Sequence, residues 1–421
     1  MLIRLLLAAS LSASSYWAAS PSPAEEVTVE IKRGRAQLVR DGKPYVVKGA
    51  GGNEHLELLA ASGGNSIRTW SVGERTGSLL KEAHKAGLSV TLGIWLRRTG
   101  EGDYGDERFL ARQESRVRRA VERHRDDPAL LVWALGNEME GSGDDPRVYE
   151  QLERLARIVK ELDPSHPTMT VIADLGGGKK VRDLDRLAPS IDIIGINTYG
   201  AAGTVGERYR AAGGERPYMV TEFGPRGHWE SPKAHGGLPI EESSTAKAKR
   251  YRESYERGIA GDDLCIGSYA FLWGDKQETT ATWYGMLLPD GSRLGAVDAM
   301  TELWTGKAPR NECPEIDDIE GAPDDALKAG ESFDVSVRAS DPYRDRLKVE
   351  WVLRSASPGD GSYGREEAKT AEFPKAISRA RKLRARVTMP EKAGPYRLFA
   401  YVRDGKGGAA VHNVPLVVKE R

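Results

Sequence analysis

Two glutamates stand out for the residues around them. Glu138 lies near the end of "ALLVWALGNEME", Ala129 to Glu140, and Glu222 lies within "PYMVTEFG", Pro217 to Gly224. Each follows an apolar run; the first is flanked by "RDDP" and "GSGDDP". Such runs read as strands buried on both faces of a parallel sheet. The last residues of these strands lie at the sheet's carboxyl edge, where ligands bind in α/β folds. Two carboxylates facing each other across a cleft suit glycosidic bond cleavage, one protonating the leaving oxygen and the other attacking the anomeric carbon. A single glutamate at a strand end is ordinarily just solvated, so the rest of the chain must bring the pair together.

The elements that would do so recur regularly. After a hairpin in "VTVEIKRGRAQLVRDGKPYVVKG", with turns at Arg33-Gly34 and Asp41-Gly42, apolar strand candidates run Tyr45–Gly52, Asn65–Trp70, Leu88–Leu96 and Leu130–Glu138. They continue with Thr168–Leu175, Ile191–Gly200, Pro217–Gly224 and Ile266–Gly274. Between them lie segments such as "RVYEQLERLARIVKELDP", whose apolar residues recur at three- and four-residue spacing, the mark of an amphipathic helix. Strands alternating with helices in this rhythm predict a (β/α)8 barrel. A doubly wound open sheet is the alternative, but no Gly-rich phosphate loop opens a helix.

In a barrel all strand ends converge on one face. Read in order they supply Asn53 and Glu54, Arg68 and Trp70, Trp95, Asn137 and Glu138, Asn197 and Tyr199, Glu222, and Trp273. Indoles offer flat platforms to a pyranose, while Asn and Arg bind hydroxyls and carboxylates. Glu138 is expected to be the acid/base, kept protonated by burial and by the second carboxylate. Glu222 is expected to be the nucleophile, with Arg68 as its adjacent cation. His228 and Trp229 in "GPRGHWESP" and Trp283 in "GDKQETTATWYGM" are expected to line the cleft, the latter loop also holding Gln277, Glu278 and Tyr284. Glu54, Glu140, Glu230 and Glu278 are the alternative carboxylates. The histidines show no metal-ligand spacing, and neither a metal nor a cofactor is expected.

Taken jointly, "GNE" at the end of the fourth strand, "TEFG" at the seventh and "IGINTYG" at the sixth resemble the retaining glycoside hydrolases of clan A. The closest likeness is to the barrel domain of glycoside hydrolase family 2, over roughly Val46 to Gly306. The resemblance implies double displacement with retention, Asn137 bonding the sugar 2-hydroxyl, Tyr199 touching the nucleophile and Trp273 forming the floor of the central subsite. Family 2 enzymes usually carry β-sandwich domains before the barrel, whereas here a short stretch separates the predicted signal from the first strand. The exo-acting galactosidase or glucuronidase of that family is therefore not the expected activity.

The remaining features set the context. Lys and Arg total 62 against 62 Asp and Glu, which points away from nucleic acid and towards a neutral carbohydrate partner. Residues 1–24 have the layout of a secretory signal, Arg4 followed by an apolar run too short to span a bilayer, so an exported protein with no membrane association after signal removal is expected. Cys265 and Cys313 could pair in an oxidising compartment. Residues 25–306 form the barrel with its hairpin, 307–321 a linker, and 322–421 an immunoglobulin-like β-sandwich, read from alternating segments such as "LKVEWVLRS" and "GPYRLFAYVRD". "ASDPYRDRLKVEW" and "YVRDGKGG" resemble cadherin-like or polycystic-kidney-disease-type repeats. Asp341 and Asp345 lack the dense carboxylate cluster of a calcium loop. The expected activity is hydrolysis of a β-linked glycan such as a β-glucan. A transglycosylase using the same glutamates and a non-catalytic polysaccharide-binding protein are the rivals.

Overall fold

A strand buried on both faces needs helices on one side and a packed interior on the other. In the computed structural model, which describes residues 26–141, 143–357 and 366–420, the alternating segments meet both needs by closing into a ring. The predicted signal segment lies outside the described residues. In chain order the ring is β4 (Val47–Gly51), α1 (Leu56–Ala61), β5 (Ser66–Arg68), α2 (Thr76–Lys85), β6 (Ser89–Ile94), α3 (Glu107–His124), β7 (Leu130–Leu135) and α4 (Arg147–Leu162). It continues with β8 (Thr168–Ala173), α5 (Lys179–Leu187), β9 (Ile193–Asn197), α6 (Val205–Ala211), β10 (Tyr218–Phe223), α7 (Ser244–Ser254), β11 (Cys265–Ala270) and α8 (Gly295–Thr305). The strands pair in parallel and β11 closes on β4, so the fold is a (β/α)8 barrel.

The interior is filled, not hollow. Tyr269 on β11 crosses it to bond Thr91 Oγ1 at 2.5 Å and Ser66 Oγ at 3.0 Å. Gly49 leaves the space this ring needs, since a Cβ there would sit 2.4 Å from it. Ahead of the barrel, β1 (Val27–Lys32), β2 (Arg35–Arg40) and β3 (Lys43–Tyr45) form an antiparallel meander. Its Val27, Ala36 and Leu38 pack with Val47, Leu131, Met169 and Ile266 across the amino-terminal opening, leaving the opposite face for a site.

The C-terminal region consists of two four-stranded sheets sharing one apolar core. One holds β12 (Arg293–Leu294), β15 (Lys348–Ser355), β18 (Gly394–Arg403) and β19 (Gly408–Val418). The other holds β13 (Glu315–Glu320), β14 (Ser332–Ser340), β16 (Ile377–Arg381) and β17 (Arg384–Thr388). The stretch 307–321, read as a linker, departs from that expectation because β13 lies inside it. A register irregularity between Ile316 and Ile319 puts its buried residues three apart and breaks the alternation that marks a strand. The two cysteines also stay apart. Cys265 Sγ faces Gly267 O and Cys313 Sγ faces Arg293 O, both as free thiols.

The sheets are fastened to the barrel. β12 belongs to the loop before α8 yet pairs with β19, and Leu288 and Leu294 pack on Phe399, Tyr401 and Val411. Beside this seam Glu241, 1% exposed, accepts from Lys247 Nζ (2.5 Å), Thr280 Oγ1 (2.6 Å), Thr282 Oγ1 (2.8 Å) and Asn413 Nδ2 (2.5 Å). One carboxylate thus joins the loop after β10, the helix α7, the loop after β11 and the C-terminal sheet. Burial works to raise its pKa, but the Lys247 charge and these donors outweigh that and hold it below the usual carboxylate range. Such a group supports the fold above the carboxylate range and loses that support as pH falls through its depressed pKa. Removing one member of a buried pair strands the other charge. Glu241→Ala is therefore expected to cost about 3–5 kcal/mol in urea unfolding near neutral pH. A change within error would show the network to be dispensable.

Candidate functional site

The carboxyl ends of the strands surround a cleft of about 790 Å³. Glu138 and Glu222 both line it, from the ends of β7 and β10. The turn that delivers Glu138 depends on Gly136, where φ is 73° and a Cβ would collide with Met139 Sδ at 1.9 Å. Glu138 itself has φ 50°, a left-handed conformation that costs a non-glycine residue on the order of 1–3 kcal/mol. Its amide donates to Val171 O at 2.8 Å, which fixes the turn against β8.

Beneath the cleft lies Arg68, its side chain 1% exposed. Nη1 donates to Glu222 Oε1 at 2.8 Å and to Thr221 O at 3.1 Å, and Nη2 donates to Asn137 Oδ1 at 2.6 Å. Glu222 Oε1 also accepts from Trp70 Nε1 at 3.1 Å, and Oε2 from the Tyr199 hydroxyl at 2.6 Å. Three donors on two oxygens suit a carboxylate acting purely as acceptor. Burial, then the Glu222 charge, pushes Tyr199 well above the ordinary phenol pKa, so it keeps the proton it donates.

Glu138 is held differently. Its Oε1 accepts from Asn197 Nδ2 at 2.8 Å and its Oε2 from Arg98 Nη2 at 3.3 Å. Burial raises its pKa and the Glu222 charge raises it further, against the opposing effects of Asn197 and Arg98. Asn197 also donates to Asn137 Oδ1 at 3.3 Å and accepts from Thr221 Oγ1 at 2.8 Å, so a continuous set of bonds links the two glutamates. Their environments separate one carboxyl inclined to hold a proton from one oriented by three donors.

Trp70, Trp95, Asn137, Asn197, Tyr199 and Trp229 line the cleft as expected. Trp229 is 51% exposed and meets Tyr199 edge-on, with ring centroids 5.5 Å apart. His228, expected on the cleft, is not among its lining residues: it packs against Trp229 with its Nδ1 3.3 Å from the Tyr284 hydroxyl, and burial lowers its pKa. Trp273 and Trp283 depart from expectation. Each is 1% exposed. Trp273 packs into the barrel core with Nε1 towards His55 O (3.4 Å), and Trp283 lies under the loop with Nε1 bonded to Arg226 O (2.9 Å). Phe271 and Leu272 take the place in the cleft that the resemblance assigned to Trp273.

The alternative carboxylates divide. Glu54 is exposed and off the cleft, while Glu140 is 3% exposed and paired with Lys180 at 2.8 Å. Glu230 lines the cleft with Oε2 bonded to Gly200 N (3.0 Å) and Gly227 N (2.8 Å), and Glu278 does so paired with Lys276 at 2.6 Å. Arg98 and Lys276 were not anticipated as cleft residues. Both sit in irregular loops where no periodicity marks a direction. Far from the cleft, the fold gathers Asp341 and Asp345 with Asp404, one carboxylate oxygen of each within 4.8 Å of the others. The Asp404 oxygens already accept from Lys406 N, Gly408 N and Asn311 Nδ2.

Fold and cleft together define a (β/α)8 protein with a paired-glutamate site. Comparison with known proteins places a family likeness within the barrel: residues 81–238 match the model described as "Glycosyl hydrolases family 2, TIM barrel domain". The chain is similar to a β-glucuronidase of Streptococcus agalactiae, 23% identical over 40% of this chain and 32% of that protein. It is also similar to mannan endo-1,4-β-mannosidase 1 of Oryza sativa, 22% identical over 67% of this chain and 81% of that protein. Among solved structures it shares its fold with a GH2 β-galacturonidase of Eisenbergiella tayi bound to galacturonate, with TM-score 0.54 and 15% identity over 68% of this chain. The chain spans about a third of that glucuronidase (32%) and 54% of that galacturonidase.

Arg68 ties three strand ends to one buried cation. Arg68→Met is expected to lower stability by about 3–5 kcal/mol, because Glu222 is left without its counter-charge. Chemical denaturation of the two proteins side by side measures it, and equal midpoints with equal slopes would refute the assignment.

Proposed function

We propose that the protein is an exported retaining β-glycosidase that hydrolyses a β-linked glycan, a β-glucan being the first candidate. The observation that carries this reading is the contrast between the two cleft glutamates. Glu222, oriented by Arg68, Trp70 and Tyr199, attacks the anomeric carbon while Glu138 gives its proton to the departing oxygen, and the glycosidic bond breaks. Water then attacks the anomeric carbon of the glycosyl-enzyme, the bond to the Glu222 carboxylate breaks, Glu138 takes the water's proton, and the sugar leaves with its configuration kept. The family match supports this chemistry, and the names of the related proteins above all denote enzymes of β-linked sugars.

The charge of the cleft favours a neutral unit at the reacting centre. Its lining holds six carboxylates, Glu101, Glu138, Asp174, Glu222, Glu230 and Glu278, against Arg98 and Lys276. Arg98 pairs with Glu138 and Lys276 with Glu278, so a uronate would face a wall whose cations are engaged. Export rests on the signal-like residues 1–24, and we read the C-terminal sheets as an immunoglobulin-like sandwich that braces the cleft loop after β11.

The decisive experiment is turnover of β-linked glucans, mannans and xylans and of aryl β-glycosides, with Glu138→Gln and Glu222→Gln alongside. Activity on at least one substrate is expected to fall about a thousandfold or more in each variant. Activity surviving in either would assign the chemistry to another pair. Proton NMR of the first-formed product is expected to show the β anomer, and the α anomer would exclude double displacement.

The pH profile follows from Glu138. The raised pKa keeps the acid protonated to higher pH, so kcat/KM falls as pH rises through that value. Arg98 opposes the upward shift. Arg98→Ala is thus expected to move the alkaline limb to higher pH, and a limb that stays or moves down would show that Glu138 does not set it.

A further inference from the structure

On α3, Arg112, Arg116, Arg119 and Arg123 are spaced by four, three and four residues, which places them on one face of the helix. All four are exposed, as is Arg97 in the preceding loop. They border two grooves of about 680 Å³ each on the flank of the barrel, one reached by Arg97, Arg112 and Arg116, the other by Arg116, Arg119 and Arg123. Trp95 lines both grooves and the cleft, so the three spaces meet around one indole. Arg116 Nη1 donates to Trp95 O at 3.3 Å, which seats that guanidinium against the backbone of Trp95.

A row of surface arginines is ordinarily balanced by its neighbours. Elsewhere on this chain it is: Arg147 pairs with Asp145, Arg157 with Glu153 and Arg186 with Asp183. Among the described residues, Arg97, Arg116, Arg119 and Arg123 have no carboxylate within ion-pair distance, and Arg112 reaches only Asp106 at 3.9 Å. The carboxylates along the grooves are Glu101 in the first and Glu74 and Glu122 in the second, too few to neutralise them. A chain with 62 charges of each sign has therefore separated them locally, with an acidic cleft beside a basic flank.

We propose that this flank is a binding site for the anionic groups of a partly acidic polysaccharide, whose strand carries its charged units past the arginines and enters the cleft at Trp95, on the Glu138 side, with a neutral unit. Guanidinium groups bind carboxylate, sulfate or phosphate through paired N–H donors, and Arg112 to Arg123 span about 16 Å of helix, enough to meet several such groups along an extended chain. A glycan is the occupant because the grooves continue into the cleft through an indole, a surface suited to sugar faces. Trp95 follows β6, the strand next to β7 and Glu138, and Arg98 of the same loop pairs with Glu138. The direction of the strand, leaving-group end on the flank, rests on the glycosidase reading; the binding itself does not.

The test is calorimetric titration of the full chain, carrying Glu222→Gln to prevent turnover, with carboxymethyl β-glucan and with the same β-glucan unmodified. The acidic polymer is expected to bind about tenfold more tightly at roughly 0.05 M salt, with the difference largely gone at roughly 0.5 M. Adding Arg112→Gln, Arg116→Gln and Arg119→Gln is expected to reduce the preference to about twofold or less, with the melting temperature shifted by no more than about 2 °C. Equal affinity for the two polymers, binding of neither, or a preference that survives the triple substitution would each overturn the proposal. So would single-stranded DNA binding as tightly as the acidic glucan, since that would mark a general polyanion surface. Turnover of unmodified glucans by the unsubstituted protein reports separately on the glycosidase reading.

Discussion

A guanidinium buried to 1% exposure dictates what can surround it. Taking Arg68 out of water costs several kcal/mol, which only close counter-charges and acceptors can offset. Glu222, Asn137 and the carbonyl of Thr221 provide them, so the ends of β5, β7 and β10 are held in one arrangement. Glu222 accepts two further hydrogen bonds, from Trp70 and Tyr199. Its negative charge then becomes the fixed field in which Glu138 titrates. Burial and that charge raise the pKa of Glu138, with Asn197 and Arg98 opposing them.

The same logic operates at the seam between barrel and sheets. Glu241 and Lys247 are both buried, and the hydroxyls of Thr280 and Thr282 complete the carboxylate's shell. Those threonines belong to the loop carrying Lys276 and Glu278 into the cleft, and the backbone of Glu367 bonds Gln277 O at 2.7 Å in the same loop. The C-terminal sheets therefore share in building one cleft wall. A β-sandwich tethered by a flexible linker could not do this, which gives a physical reason for a strand within residues 307–321.

Strand periodicity made the barrel legible, and with it the convergence of Arg68, Asn137, Glu138, Asn197, Tyr199 and Glu222. It gives the level of a residue along the barrel axis but not the direction of a side chain once the strand has ended. Trp273 and Phe271 illustrate this: both lie at the end of β11, yet the phenyl ring enters the cleft and the indole enters the core. Trp283 was misread for a related reason, because an indole in a loop satisfies its N–H equally well on a buried carbonyl, here Arg226 O. Asn53 and Glu54 end the first strand but stay exposed and outside the cleft lining. Arg98 and Lys276 sit in loops whose path depends on contacts distant in sequence, and nothing local to them announces the cleft.

Net charge is a similarly incomplete guide. A balance of 62 against 62 suggests a neutral partner only if the charges are mixed over the surface. Here they are sorted. Carboxylates predominate around Glu138, and the neighbouring negative charges of Glu222 and Glu140 make its ionisation harder. Cations placed at that point would reverse the effect, as Arg98 does in part. A basic surface beside such a site is compatible with its chemistry only if it is kept beyond the screening distance of the acid or faces away from it. The arginines of α3 line the flank grooves and not the cleft, and the first groove and the cleft adjoin at Trp95 and Glu101. That border joins two electrostatic environments that one continuous ligand would have to satisfy in turn.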